Sequence, residues 1–115
     1  MAYEKLRARW AEERRSREAR SEALRRRIEA CGPLLFRRYH VQKAVLFGSA
    51  AEGRSSERSD VDLFVTPLDS ETYWELRREL EEALGAPVDL YTEGDDPTFT
   101  RKVLTRGIVV YAAQP

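Results

Sequence analysis

The sequence predicts an α/β (α+β) fold in which one long N-terminal helix is followed by short strands that alternate with helices. Short apolar runs, of the length typical of buried strands, recur between stretches with helical spacing. The first thirty residues are rich in strong helix formers and contain no glycine or proline. A chain of 115 residues, 42% apolar and 35% charged, is expected to build one globular domain with a modest core.

Residues 3–30 are predicted to form one long helix that stops or kinks at Gly32-Pro33. Its apolar residues form pairs only near the two ends, at Leu6 with Trp10 and at Leu24 with Ile28. The middle of the helix is polar on every face, which is typical of a helix that does not pack in a core.

This pattern divides the chain into two parts. Residues 1–32 are expected to be a charged helix, used for docking or oligomerisation and lying outside the core, and residues 33–115 to be the folded domain. Residues 1–43 hold 13 Lys and Arg against 6 Glu, a net +7, whereas residues 44–115 hold 7 against 14, a net −7. The basic arm therefore suits an acidic partner or the body of its own domain.

Composition also argues against some functions. Nucleic-acid binding is not expected, because the basic arm has no interleaved aromatic residues and no known module. No apolar run reaches the roughly 18 residues of a membrane span, and no signal peptide follows Met1, so we expect a cytoplasmic protein without membrane contact. With a single cysteine, Cys31, and a single histidine, His40, a zinc site is excluded.

The first strand is predicted over residues 41–47, after a short helix that restarts beyond Pro33 and ends near His40. It is fully apolar from Ala44, as expected of a buried central strand. A short helix is predicted over residues 50–53 and a polar loop over residues 54–59. The second strand, residues 61–66, stops before Pro67.

The remaining elements have clear start and stop signals. A helix capped by Asp69 or Ser70 is predicted to end before Gly85, with an apolar stripe at Tyr73, Leu76, Leu80 and Leu84 and with Trp74 packed in the core. A third strand follows over residues 87–91. Asp96 and Pro97 are an N-cap and first-turn pair for a helix to about Arg106, and residues 108–111 form the last strand.

The stretch between the first two strands carries the chemistry. Gly48-Ser49 follows the first strand directly, and Asp60 and Asp62 lead into the second. Side chains in a strand alternate faces, so the two carboxylates are expected on one face, about 7 Å apart. Such a pair suits Mg²⁺, while backbone N–H groups of the turn suit phosphate. A calcium loop is excluded because Phe64 stands at a ligand position, and a Walker loop because no Gly-Lys-Ser or Gly-Lys-Thr occurs.

The pattern Gly48-Ser49-x-Ala51-x-Gly53, followed by Ser59-Asp60-x-Asp62, resembles the signature of the DNA polymerase beta-like nucleotidyltransferase superfamily. The short chain is similar to the minimal nucleotidyltransferases (MNT), which often act as antitoxins beside a HEPN-domain toxin. The resemblance implies a small mixed β-sheet with helices packed on one side. It also implies a third carboxylate on the neighbouring strand, a place that Asp89 would fill.

The resemblance implies a site and a reaction. Asp60, Asp62 and Asp89 would be the catalytic residues and would hold two Mg²⁺ ions. The nucleotide would be bound by Gly48, Ser49, Arg54 and Ser59. The reaction would transfer AMP from ATP to a hydroxyl group, expected to be a tyrosine of a HEPN-domain partner.

The sequence departs from the superfamily at Glu52 and Ser56, where arginines are frequent. Arg54 and Arg58 stand nearby and are candidates to replace them. A second hypothesis therefore stays open. The chain would then be an antitoxin that acts by binding its partner, with a weak or idle nucleotide site.

Overall fold

Residues 2–114 are described by a computed structural model and form a four-stranded mixed sheet with three helices. In chain order the elements are α1 (Ala2–Arg38), β1 (Lys43–Phe47), β2 (Val61–Thr66), α2 (Tyr73–Leu84), β3 (Val88–Tyr91), α3 (Pro97–Arg106) and β4 (Ile108–Ala112). The predicted fold class, a small mixed sheet with a long N-terminal helix, is confirmed. None of the helices in residues 2–114 is long and apolar enough to cross a membrane.

The strands lie in the order β3-β2-β1-β4. β1 pairs antiparallel with β2 and with β4, whereas β2 and β3 are parallel. Parallel neighbours need a crossover connection, and α2 supplies it. The two central strands, β1 and β2, have the most buried side chains, which agrees with their place in the middle of the sheet.

The helices cover the two faces of the sheet unequally. α1 and α2 pack on one face over the main core, whose fully buried members include Ile28, Phe36, Leu63 and Leu76. α3 lies on the other face, where Val103 packs on Val45 and Phe64. The expectation of helices on one side therefore holds for α1 and α2, while α3 leaves part of the second face open.

Helix α1 does not stop at Gly32-Pro33, so the predicted break there is wrong. Ile28, Gly32 and Phe36 are all buried at a spacing of four residues, which places them on one stripe against the sheet. A Cβ at Gly32 would lie 2.7 Å from Phe36 Cε2, so this glycine makes room for the ring. Burying Ile28 and Phe36 is worth about 1.5–3 kcal/mol each, which offsets the roughly 3 kcal/mol cost of an interior proline.

The core contacts of α1 begin further upstream than predicted. Ser21 and Ile28 are buried, which contradicts the expectation that residues 3–30 lie outside the core. Ahead of Ser21 the helix is almost entirely exposed, including Leu6 and Trp10. The helix accounts for much of the 58 Å long axis of the molecule, since 37 residues at about 1.5 Å each span roughly 55 Å.

Smaller differences concern the loops and α2. Residues 50–53 form turns, closed by hydrogen bonds such as that from the Glu52 N–H to the Gly48 carbonyl at 3.1 Å, so the short helix predicted there is absent. α2 begins at Tyr73, and Trp74 is 67% exposed, contrary to its predicted place in the core. The predicted ends hold elsewhere: Gly85 closes α2 in the left-handed conformation, and the Asp96 carboxylate accepts from Thr98 N at 2.7 Å.

Candidate active site

The Gly48 turn is built around the Asp62 carboxylate. Phe47, the last residue of β1, is the register partner of Asp62, so Gly48 leaves the sheet directly beside that side chain. Gly48 has φ +72°, a conformation that L side chains rarely adopt. A Cβ at this position would also collide with Asp62 Oδ2. Glycine is therefore required twice, for the turn and for the close approach to the carboxylate.

Asp62 and Asp89 are direct neighbours across the parallel strands β2 and β3. Each is half-buried and is flanked along its strand by buried residues of the main core, so both carboxylates point to the opposite face, which α3 only partly covers. Asp60 lies just before β2 and is exposed. The structure thus brings Asp62 and Asp89 together as predicted, with Asp60 at the entrance to the same strand.

The surroundings of Asp62 disfavour its ionised form. Burial, the charges of Asp89 and Asp60, and a hydrogen bond to Asp89 together raise the pKa of Asp62 from 3.8 to about 6. Burial first, and then the charge of Asp89, also raise the pKa of the nearby Tyr91 phenol. A site with excess negative charge attracts a cation.

The position of Asp89 is secured from the edge of the sheet. β3 is an edge strand whose outward backbone groups need partners. Side chains of α2 supply them: Arg77 Nε donates to the Val88 carbonyl at 2.9 Å, and Glu81 Oε2 accepts from the Val88 N–H at 3.0 Å. The Tyr73 hydroxyl donates to the Leu90 carbonyl at 2.6 Å. Asp89 is thus held between two anchored residues.

Three aromatic rings stand on the same face as the carboxylates. The ring centroids of Phe47, Tyr91 and Phe99 lie between 5.0 and 5.6 Å apart. Phe99 comes from α3, so this wall exists only because α3 crosses to the second face. Sequence reasoning missed the wall as a unit, although strand alternation places Tyr91 on the face of Asp89.

Two of the residues predicted to bind nucleotide, Arg54 and Ser59, already have partners within the segment between Gly48 and β2. Arg54 forms an ion pair with Glu52, with its Nε 3.1 Å from Oε2. The Ser59 hydroxyl accepts from the Ser56 N–H at 2.9 Å. Glu52 and Ser56, the two departures from the superfamily pattern, thus contact the two loop residues predicted to bind nucleotide. Ser49 lies in the turn itself, where its carbonyl accepts from Arg54 N at 2.8 Å.

The carboxylates suit a divalent cation in their chemistry. Oxygen ligands are what Mg²⁺ prefers, and the pKa of Asp62 is raised first by burial and then by the charges of Asp89 and Asp60. Within residues 2–114 no group of three or more His, Cys, Asp or Glu side chains is arranged to hold a metal ion. Of the three predicted ligands, the structure therefore brings Asp62 and Asp89 side by side as the candidate pair for a cation, with Asp60 outside the strand.

Comparisons with known proteins agree with this geometry. Residues 29–115 match the family described as polymerase beta, nucleotidyltransferase. A proposed protein adenylyltransferase of Methanocaldococcus jannaschii is 44% identical over 62 residues, a match covering 49% of this chain and 61% of that protein. The chain thus spans less than two thirds of the length of this relative.

Solved structures show the same similarity in three dimensions. A toxin–antitoxin structure with AMP-PNP has a chain that is 30% identical, with a TM-score of 0.65 and coverage of 75% of this chain and 74% of that one. A complex of tri-AMPylated Shewanella oneidensis HEPN toxin with MNT antitoxin has a chain that is 28% identical, with a TM-score of 0.57 and coverage of 78% and 74%. The chain is therefore a nucleotidyltransferase of the polymerase beta family, of the minimal type.

Proposed function

We propose that this nucleotidyltransferase transfers AMP from ATP, with Mg²⁺, to a tyrosine hydroxyl of a HEPN-domain partner. The observation that carries the proposal is the pair Asp62 and Asp89, side by side in register and next to the Gly48 turn. The donor and partner are supported by the AMP-PNP and AMPylated complexes among its structural relatives.

Each residue of the candidate site has a proposed role that follows from its position. Asp60, Asp62 and Asp89 would hold Mg²⁺, two ions in the full site, and the metal would stabilise charge on the attacking and leaving oxygens. Gly48 and Ser49 bind the β- and γ-phosphates through the turn, with Arg54 and Ser59 on the loop beside them.

In the transfer itself, the acceptor oxygen attacks the α-phosphorus. The bond between that phosphorus and the bridging oxygen to the β-phosphate breaks, and pyrophosphate leaves with the electron pair. The proton of the acceptor hydroxyl passes to the Asp89 carboxylate, which is anchored through its neighbours Val88 and Leu90.

A second function is favoured by one observation. Arg54 is engaged by Glu52, and Ser59 by Ser56, so the loop groups predicted to bind nucleotide already have partners. If these pairs persist when ATP is present, the protein would act as an antitoxin by binding its partner alone.

The experiment separates binding from transfer. Calorimetry with ATP and Mg²⁺ is carried out on the wild type, Asp62→Asn, Asp89→Asn and the control Asp69→Asn, whose side chain is exposed away from the site. Transfer is followed with radiolabelled ATP and the co-expressed HEPN partner. We expect Asp62→Asn to lose binding and Asp89→Asn to keep most binding but lose transfer by at least about 100-fold, as expected of a general base.

Each alternative has its own result. Nucleotide binding without transfer by the wild type would favour the non-catalytic antitoxin. Equal binding by wild type and Asp62→Asn would contradict the site, and transfer by Asp89→Asn at the wild-type rate would remove Asp89 from the reaction.

A further inference from the structure

Helix α1 forms hydrogen bonds with the loop that carries Arg54 and Ser59. Within residues 2–114, the polar side chains that are buried are Ser21 on α1 and Ser55 on this loop, each 4% exposed. The Ser21 hydroxyl donates to Ser55 Oγ at 2.8 Å and accepts from the Ser55 N–H at 3.1 Å. A buried backbone N–H needs a partner, and here the partner is a side chain 34 residues upstream.

Two further contacts lie beside this pair. Arg20 Nη2 is 3.0 Å from Glu57 Oε1, an exposed ion pair that adds little energy but limits the loop further. A Cβ at Gly53 would be 3.6 Å from Glu18 Cγ, so α1 also runs close to the start of the loop. Three alternate positions, Gly53, Ser55 and Glu57, therefore lie against one short stretch of α1.

The anchored residue lies between two parts of the active site. The loop leaves the Gly48-Ser49 turn, passes Ser55 at its middle and returns at Asp60 and Asp62. Fixing Ser55 limits where Arg54 and Ser59 can stand relative to the carboxylates. A polar loop without such a contact would pay a larger ordering entropy on binding nucleotide.

We propose that Ser21 is a positioning residue of the nucleotide site: its two hydrogen bonds to Ser55 preorganise the loop that receives ATP. This rests on the proposed function, since the loop must bind nucleotide for its position to matter. The helix that projects from the domain is then also a structural part of the active site, so α1 connects its exposed arm to the loop. Ser21 touches no substrate and acts through Ser55.

The test uses variants matched in chemistry. Ser21→Ala removes the hydroxyl and favours the helix, so the variant is expected to fold. Ser16→Ala makes the same change at an exposed site of α1. Ser21→Thr keeps the hydroxyl, and a cavity of about 200 Å³ beside Ser21 leaves room for the added methyl group. Ile28→Val lowers core stability without touching the loop.

The measurements are the ATP dissociation constant in the presence of Mg²⁺, taken well below the melting temperature, and amide exchange at Ser55 by NMR. We expect Ser21→Ala to weaken ATP binding about 2- to 10-fold, because both hydrogen bonds to Ser55 are lost and part of their free energy contributes to nucleotide binding. The change should also speed exchange at Ser55. Ser21→Thr, Ser16→Ala and Ile28→Val should bind ATP as the wild type does.

The outcomes that overturn the proposal are distinct. Unchanged ATP affinity or unchanged Ser55 exchange in Ser21→Ala overturns the positioning role alone. Equal weakening by Ile28→Val shows that the effect is one of general stability and overturns it too. A wild type that binds no ATP overturns the proposed function, and the positioning role with it.

Discussion

At the scale of single residues, the candidate site concentrates negative charge where burial already disfavours it. Asp62 is half-buried, lies beside Asp89 on the neighbouring strand and is two residues from Asp60 in the sequence. Its pKa of about 6 in the folded chain lies well above the ordinary 3.8. Gly48 packs against the Asp62 carboxylate, so the turn lies in direct contact with the cluster of acidic side chains.

This charge cluster should lower the stability of the metal-free protein. Because the folded state binds the Asp62 proton more tightly than the unfolded state does, the contribution of this group to stability is fully present below about pH 4 and is lost as the pH rises through about 6. Asp62→Asn should therefore raise the free energy of unfolding at pH 7.5 by about 1 kcal/mol, less than the full shift implies because the side chain is only half-buried. Urea unfolding at pH 4 and pH 7.5 measures this.

The variant should gain nothing at pH 4, and Asp69→Asn should be unchanged at both pH values. Added Mg²⁺ should reduce the advantage of Asp62→Asn, since the ion offsets the repulsion only in the wild type. A wild type more stable than Asp62→Asn at pH 7.5 without metal would show that the carboxylate makes favourable contacts instead.

At the scale of elements, α1 shows how packing overrides local stop signals. Gly32-Pro33 would end most helices, but here Gly32 admits the buried Phe36 ring, which packs on Tyr111 with centroids 5.2 Å apart. The helix also provides the anchor for the active-site loop at Ser21. One element therefore supports both the core and the site.

Gly32→Ala tests this account of α1. In an isolated helix the change would stabilise by about 1 kcal/mol. In this protein the added Cβ lies 2.7 Å from Phe36 Cε2, and overpacking a fully buried ring costs about 1–3 kcal/mol. We expect a net loss of about 1 kcal/mol in chemical denaturation, with Cys31→Ala, at the exposed neighbouring position, close to neutral. A stabilised Gly32→Ala would show that the contact is not limiting.

At the scale of the whole molecule, a basic helix projects from an acidic domain. Its exposed apolar residues, Tyr3, Leu6 and Trp10, lie beyond the last contacts with the loop. Tryptophan, tyrosine and arginine are the residue types enriched at interface anchors. We therefore keep the proposal that the projecting part of α1 docks a partner or a second copy of the chain.

Two truncations test this division. Deleting residues 1–16 removes helix that is almost entirely exposed over residues 2–16, and should leave the domain folded and able to bind ATP, while weakening association with the proposed HEPN-domain partner. Deleting residues 1–32 should unfold the chain, because Ile28 and the Ser21 anchor are lost. Thermal melting and size-exclusion chromatography of both forms measure the outcome. Undiminished association after deletion of residues 1–16 would place the partner surface elsewhere.

Local chemistry was enough to predict most of the helices and strands. Apolar runs mark β1 and β2, glycine and serine mark the turn after β1, and the Asp96-Pro97 and Gly85 signals give the start of α3 and the end of α2. These features depend on neighbours in sequence, so the sequence by itself determines them. Strand alternation was the argument for Asp60 as well as Asp62, but Asp60 lies before the first residue of β2. The spacing of Gly48, Ser49, Asp60 and Asp62 was also specific enough to indicate the nucleotidyltransferase family.

Long-range packing decided the rest. That α1 continues through Pro33, that α3 covers the second face, and that Trp74 stays exposed all depend on which surfaces meet in three dimensions. The raised pKa of Asp62 and the bond between Ser21 and Ser55 join residues far apart along the chain. No periodicity or capping signal records such contacts, because their energy exists only after the sheet has formed.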